Sequence, residues 1–181
     1  EKYYQIPVGN QQELINYYDS NLIALQQFEL YQKEELKTIL DIRTNIVFSL
    51  YSKGRFTEAI SEGQKNIDQL EKHNLSEELY TSNLINIGYS LYQQEQYFNS
   101  IKYLKLVLQK EPKNEKIQQL IKQAKEHQVG KSDKYYYFLG ALSLFLSILF
   151  DEELGKNITL GLDFLTVAFF LTPWIIRKTK K

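Results

Sequence analysis

With 181 residues the chain has room for one compact domain and an appendage. Its 22 Lys and Arg balance 22 Asp and Glu, so no overall field favours nucleic acid or an acidic partner. The lack of cysteine excludes a disulfide framework, a thiol nucleophile and a Cys-based zinc site, and two isolated histidines, His73 and His127, form no metal cluster. Abundant Tyr and Phe, three prolines (Pro7, Pro112 and Pro173) and no Gly-rich loop suit long helices, and the fold class expected is all-α. The sequence starts at Glu1 and contains no methionine, which points to residues upstream; nothing in its first 30 residues reads as a signal peptide.

Residues 1–33 read as an N-terminal segment with a packing helix. Asn10 followed by Glu13 forms a capping-box pattern, and Leu14, Tyr18, Leu22 and Leu25 continue one apolar face. Residues 34–74 and 75–112 then form two related units. Asn45-Ile46-Val47-Phe48-Ser49-Leu50-Tyr51 returns 41 residues later as Asn86-Ile87-Gly88-Tyr89-Ser90-Leu91-Tyr92, with five of seven positions identical. At the same offset Phe56 matches Tyr97, Ala59 matches Ser100, and Ile60 matches Ile101. Ile46 and Leu50, like Ile87 and Leu91, lie four apart on one helix face that a partner helix must cover. The covering helices are expected over about residues 57–70, after the break Lys53-Gly54-Arg55, and over about residues 97–110. Small residues at Ala59, Gly63 and Ser100 allow close helix approach.

Leu84, Ile87, Gly88 and Leu91, then Tyr97, Ser100, Leu104 and the closing Pro112, follow the spacing of tetratricopeptide repeats, and residues 81–114 resemble that family well. The first unit is a looser match. It keeps Ile46, Leu50, Gly54, Phe56 and Ala59 but has Val47 where the family prefers a small residue and Arg43 where it prefers a large apolar one. The offset of 41 exceeds the family's usual length of about 34 and implies an extended turn or longer helices around residues 71–78. The resemblance implies that the first helix of each pair lines a partner-binding groove made of Thr44, Asn45, Phe48, Tyr51, Ile85, Asn86, Tyr89 and Tyr92. Rings flanked by amides suit a protein or peptide partner. The family's carboxylate clamp is not expected, because Thr44, Phe48, Ile85 and Tyr89 stand where it needs polar or basic groups. The alternative occupant of this face is the chain's own N-terminal helix, residues 10–30.

Residues 113–130 read as a terminal capping helix, with Asn114 as its cap and Ile117, Leu120, Ile121 and Ala124 turned to the last repeat. Residues 131–181 read as a membrane hairpin with a basic tail, which meets the lipid bilayer through residues 135–176. Sixteen uncharged residues, Tyr135 to Phe150, precede Asp151-Glu152-Glu153, and a second apolar stretch from Ile158 to Ile176 is interrupted only by Asp163. The first run spans about 24 Å of a hydrocarbon layer about 30 Å thick, with re-entry or burial in a larger soluble assembly as alternatives to crossing. Lys122, Lys125, Lys131 and Lys134 before it, and Arg177, Lys178, Lys180 and Lys181 after it, outweigh Lys156 between the arms. That asymmetry predicts a two-pass hairpin with the repeats and the C-terminus in the cytoplasm. An exporting leader would invert this. Tyr135, Tyr136, Tyr137 and Trp174 fall on the basic side as an aromatic belt, and Gly140, Ser143 and Ser147 form a small-residue stripe for close packing.

No phosphate-binding glycine loop, G-x-S-x-G or H-E-x-x-H motif occurs. Glu34-Glu35 and Glu77-Glu78 read as helix-start carboxylates. The Asn157-Ile158-Thr159 glycosylation pattern lies too close to the bilayer to be used. The expected protein is therefore no enzyme and takes no cofactor, metal, nucleic acid or small-molecule substrate. It is a membrane-anchored adaptor or scaffold for protein–protein interaction. The alternative is a subunit of a membrane complex, or an immunity-type protein, in which the hairpin is the working part.

Overall fold

The computed structural model describes residues 10–25, 33–149 and 156–179. Among them the chain is all-helical, in seven helices: α1 (Gln11–Leu25), α2 (Lys33–Ser52), α3 (Phe56–Lys72), α4 (Glu77–Gln93), α5 (Tyr97–Lys110), α6 (Glu115–Leu149) and α7 (Lys156–Thr179). They divide into two compact units, residues 1–125 and 126–181, and α6 begins in the first and ends in the second. Residues 1–9 and 26–32 of the N-terminal segment, the Asp151-Glu152-Glu153 turn, and Lys180 and Lys181 of the tail lie outside the described residues.

In the first unit, consecutive helices from α1 to α5 pack on one another, and α2 also packs on α4, the arrangement of a helical repeat. The 41-residue offset is carried into the backbone. Arg55 N–H donates to Leu50 O and Gln96 N–H to Leu91 O, each at 2.9 Å; Lys53 to Ser49 O and Gln94 to Ser90 O close the same turn. Gly54 and Glu95 fill the left-handed position with φ of 77° and 57°. A third copy ends α3, where Leu75 N–H reaches Leu70 O and Asn74 takes φ 47°. Glycine is the relaxed solution at that position, and Glu95 and Asn74 occupy it because the reversed bonds fix the helix ends.

The long repeat is accommodated by longer helices rather than an extended turn. α3 runs to Lys72, two residues past its expected end, and α4 begins at Glu77 with Ser76 Oγ accepting from Leu79 N–H. α5 stops three residues earlier than its counterpart, before Pro112, which cannot continue a helix without a clash. Asn10 and Asn114 both act as caps, accepting from Glu13 N–H and Ile117 N–H at 3.2 Å.

Leu84, Ile87, Leu91, Leu104 and Val107 form the main core with Ile117, Leu120, Ile121 and Ala124 of α6, so α6 covers the last pair as expected. Ile15 and Tyr18 of α1 pack with Ile42, Ile46, Val47, Leu50 and Ala59 in a second cluster, while Leu36, Leu40 and Leu70 form a third. Close approach falls mainly between successive helices. A Cβ on Gly63 would stand 2.8 Å from Ile87, and one on Gly88 2.6 Å from Leu104, whose side chain is fully buried. Ser100 donates to Gly88 O at 2.7 Å and fastens α5 to the same spot.

The terminal helix and the first hairpin arm, expected as separate pieces meeting at residue 130, are one continuous helix. Gly130 costs about 1 kcal/mol within a helix, too little to end it without a proline or a cap. Among the described residues no helix is long and apolar enough to cross a membrane. The two-pass hairpin is therefore not supported as two full crossings. In the first arm the uncharged run, about 24 Å long, is short of a hydrocarbon layer about 30 Å thick.

Arg43, the departure from the apolar pattern, is 1 % exposed. Its guanidinium donates to Glu62 Oε2 at 2.5 Å and to Asn66 Oδ1 at 2.7 Å. Lys65 Nζ reaches Glu62 Oε1 at 2.7 Å. Asn66 donates to Asn83 Oδ1, and Asn83 donates to Thr44 Oγ1 at 2.8 Å. Burial and the neighbouring Glu62 carboxylate hold the Tyr18 phenol well above its usual range. Arg43→Met strands the Glu62 carboxylate and is expected to destabilise the domain by about 3–5 kcal/mol, read by urea denaturation in mild detergent. Adding Glu62→Leu should recover a large part of that loss; a double variant no more stable than the single one would refute the pairing as the cause.

Candidate functional site

The eight expected groove residues do not form one surface. Thr44 is buried, donates to Leu40 O at 2.7 Å and accepts from Asn83, so it belongs to the interior network. Asn86 is buried as well, and Asn45 is exposed with its amide donating to Asp41 O at 3.1 Å. Ile85, Tyr89 and Tyr92 are half-buried against the core around Ile87. What the structure brings together is Tyr51 of α2 and Tyr89 of α4, with ring centroids 5.9 Å apart. Phe56, not included among the eight, also stands 5.9 Å from Tyr51. Tyr92 turns instead to Tyr97, at 5.5 Å and nearly edge-on.

Phe48 is 48 % exposed on α2, the helix that carries Tyr51. α1 does not account for that exposure, since its buried residues Ile15 and Tyr18 sit on the cluster of Ile46, Val47, Leu50 and Ala59. The remaining aromatic surface is thus small: Phe48 with the Tyr51–Tyr89 pair, across the contact of α2 with α4. Burial, followed by the neighbouring Tyr51, pushes the Tyr89 phenol up from its ordinary value. It stays a neutral donor and acceptor at physiological pH. The repeat offset signalled Tyr51 and Tyr89. Thr44 faces the interior, where its hydroxyl meets Asn83 of α4.

A cavity of about 330 Å³ lies elsewhere in the first unit, between Leu70, Asn74, Leu75 and Tyr80. In its lining the Tyr80 hydroxyl donates to Glu71 Oε1 at 2.9 Å, and Lys110 pairs with Glu77 at 2.8 Å. Among the described residues no group of three or more His, Asp or Glu could hold a metal ion.

The second unit has the opposite construction. The second half of α6 and α7 run antiparallel. Tyr137 meets Phe170 at 5.9 Å, Gly140 lies under Phe169 and Phe170, and Ser147 donates to Asp163 Oδ1 at 2.8 Å. Their shared seam is polar. Ser143, Ser147 and Thr166 are buried, and Ser143 and Thr166 both donate to Leu162 O at 2.9 Å. Phe138, Phe145, Ile148, Leu160, Phe164 and Val167 are all more than half exposed. The small-residue stripe expected from the sequence is this seam; Thr166 was not anticipated, because an isolated Thr in an apolar run carries no spacing signal.

Compared with known protein families, with curated proteins and with solved structures, the chain matches none. The class defined by the observed geometry is an all-helical, repeat-like protein with a second unit whose apolar side chains face outward.

Phe48→Ala is expected to change stability by no more than about 0.5 kcal/mol, because its ring is half exposed. Leu50→Ala, two residues on and fully buried, should cost about 2–5 kcal/mol. Equal losses in thermal or urea unfolding would mean that Phe48 is a core residue and not surface.

Proposed function

We propose that this chain is a membrane-anchored adaptor of the tetratricopeptide-repeat kind, whose helical repeats hold a protein or peptide partner while the α6–α7 pair holds the chain at a bilayer. The observation that carries the anchor is the inverted second unit, with hydroxyls and a carboxylate bonded along the seam and phenylalanines and leucines outside. In water that arrangement exposes apolar surface without gain, whereas in lipid it satisfies the polar groups internally and spends the apolar ones on the solvent. Both arms reach the bilayer in this reading, and neither is assigned a complete crossing. The surplus of basic residues at the Tyr135–Trp174 end supports a cytoplasmic side for that end and for the repeats.

The family reading is supported by the matching turns after α2 and α4, by the packing of α2 on α4, and by α6 over the last pair. For partner binding, the support is the exposed Phe48, three residues before Tyr51 on α2, and the Tyr51–Tyr89 pair. Rigid rings bury area on binding at little entropic cost, and they are half prepared by their mutual contact. No residue set calls for catalysis.

The second reading keeps the hairpin as the working part, within a membrane complex or against a membrane-directed toxin. Asp163 favours it, because a carboxylate on a lipid-facing helix is costly to keep and is a natural contact for a partner helix.

Two experiments test these readings. Extraction of membranes at high pH should leave the chain in the pellet; release into the supernatant sinks the anchor. Affinity purification in mild detergent should recover proteins that are lost with Phe48→Lys and kept with Phe98→Lys, a ring on α5 that is more exposed, at 71 %. Partners insensitive to Phe48→Lys but lost with Asp163→Leu would instead establish the second reading.

A further inference from the structure

We infer that the basic, aromatic end of the second unit is a collar that gathers anionic phospholipid headgroups; this rests on the bilayer reading of the α6–α7 pair. The Tyr137–Phe170 contact fixes the level of the two helices. Counting outward on α6, Lys134 lies about 4.5 Å beyond it and Lys131 about 9 Å, while on α7 Trp174 lies about 6 Å beyond it and Lys178 about 12 Å. The lysines of both helices therefore stand at and just outside the level of the aromatic rings. Tyr135 and Trp174 are 71 % and 61 % exposed, and Lys178 Nζ sits 4.9 Å from the Trp174 ring centroid.

Among the described side chains at this end, Lys131, Lys134 and Lys178 are exposed and Asp133 is buried. Glu126 lies about 12 Å further out than Lys134 along α6. Asp163 is bonded to Ser147 toward the far end. Rings at the boundary with ammonium groups immediately outside them match the chemistry of an anionic headgroup: acyl chains against the rings, phosphate against the lysines. A zwitterionic choline headgroup gains the aromatic contact but puts its own cation beside three others. Each lysine near an anionic surface favours association by about fivefold.

Trp174 is the single tryptophan of the chain and reports on the collar itself. The full-length protein is reconstituted into vesicles of phosphatidylcholine mixed with phosphatidylglycerol, carrying a trace of dansyl-labelled phosphatidylglycerol or dansyl-labelled phosphatidylcholine. Energy transfer from Trp174 should be at least about twofold greater to the anionic label at low salt, and the preference should shrink as salt screens it. Lys131→Gln with Lys134→Gln should remove most of the preference while leaving the Lys178–Trp174 contact and the helicity intact. Equal transfer to both labels, or a preference unchanged in the double variant, overturns the collar and leaves the anchor standing. No transfer to either label overturns both.

Discussion

The ion pair of Arg43 with Glu62 is the constraint around which the first unit is arranged. Two charges with side chains 1 % and 5 % exposed can remain ionised only while each is held by geometry. Glu62 accepts from Arg43 and Lys65; Arg43 also holds Asn66, which passes the chain of bonds to Asn83 and Thr44. One connected set thus ties α2, α3 and α4 together at a single height. A helix that slid by one turn would leave a charge or an amide buried without its partner, at a cost of several kcal/mol. Apolar contacts between helices are tolerant of such slips; these bonds are not. The network contributes register more than net stability.

Around that point the repeat is a matter of backbone. The bonds that end α2 and α4 coincide at an offset of 41 residues, and each reverses the chain into a helix that begins at Phe56 or Tyr97. Because the reversals are alike, each following helix leaves at a similar angle, and α4 comes to lie on α2. Glycines then set the separation: the hydrogen of Gly88 is what Leu104 packs on, and Ser100 bonds the carbonyl that the missing side chain exposes.

These local features were readable in the sequence, since offsets, caps and small residues are properties of neighbours along the chain. Asn10, Asn114, Gly54 and Gly88 each act where their spacing placed them. Arg43 was visible as an oddity, but its partner Glu62 lies 19 residues away on another helix, and nothing in either helix's periodicity pairs them. The groove suffered from the same blindness. Thr44 and Asn86 share a face with Phe48 and Tyr89 by helical spacing, yet α2 and α4 press together so closely that both are covered and only the rings remain. Helix ends depend on the balance of small local terms, which is why the helix expected over residues 113–130 runs on to Leu149.

The two units use the same residue types in opposite senses. In the first, leucines and isoleucines are inside and most lysines are outside, as water dictates. In the second, Ser143, Ser147 and Thr166 are inside, and Phe138, Phe145 and Phe164 are outside. Hydroxyls give helices no packing advantage over leucine in water, because water competes for their bonds. In an apolar surrounding the competition disappears, and a serine that reaches a carbonyl or a carboxylate across the seam becomes the main directional contact between two helices whose remaining surface is as apolar as their solvent. Asp163 fits the same logic. Its charge is expensive away from water, so the bond from Ser147 anchors the place where the two helices can least afford to separate. The registry of the second unit, like that of the first, is therefore held by a carboxylate and the groups that bond it.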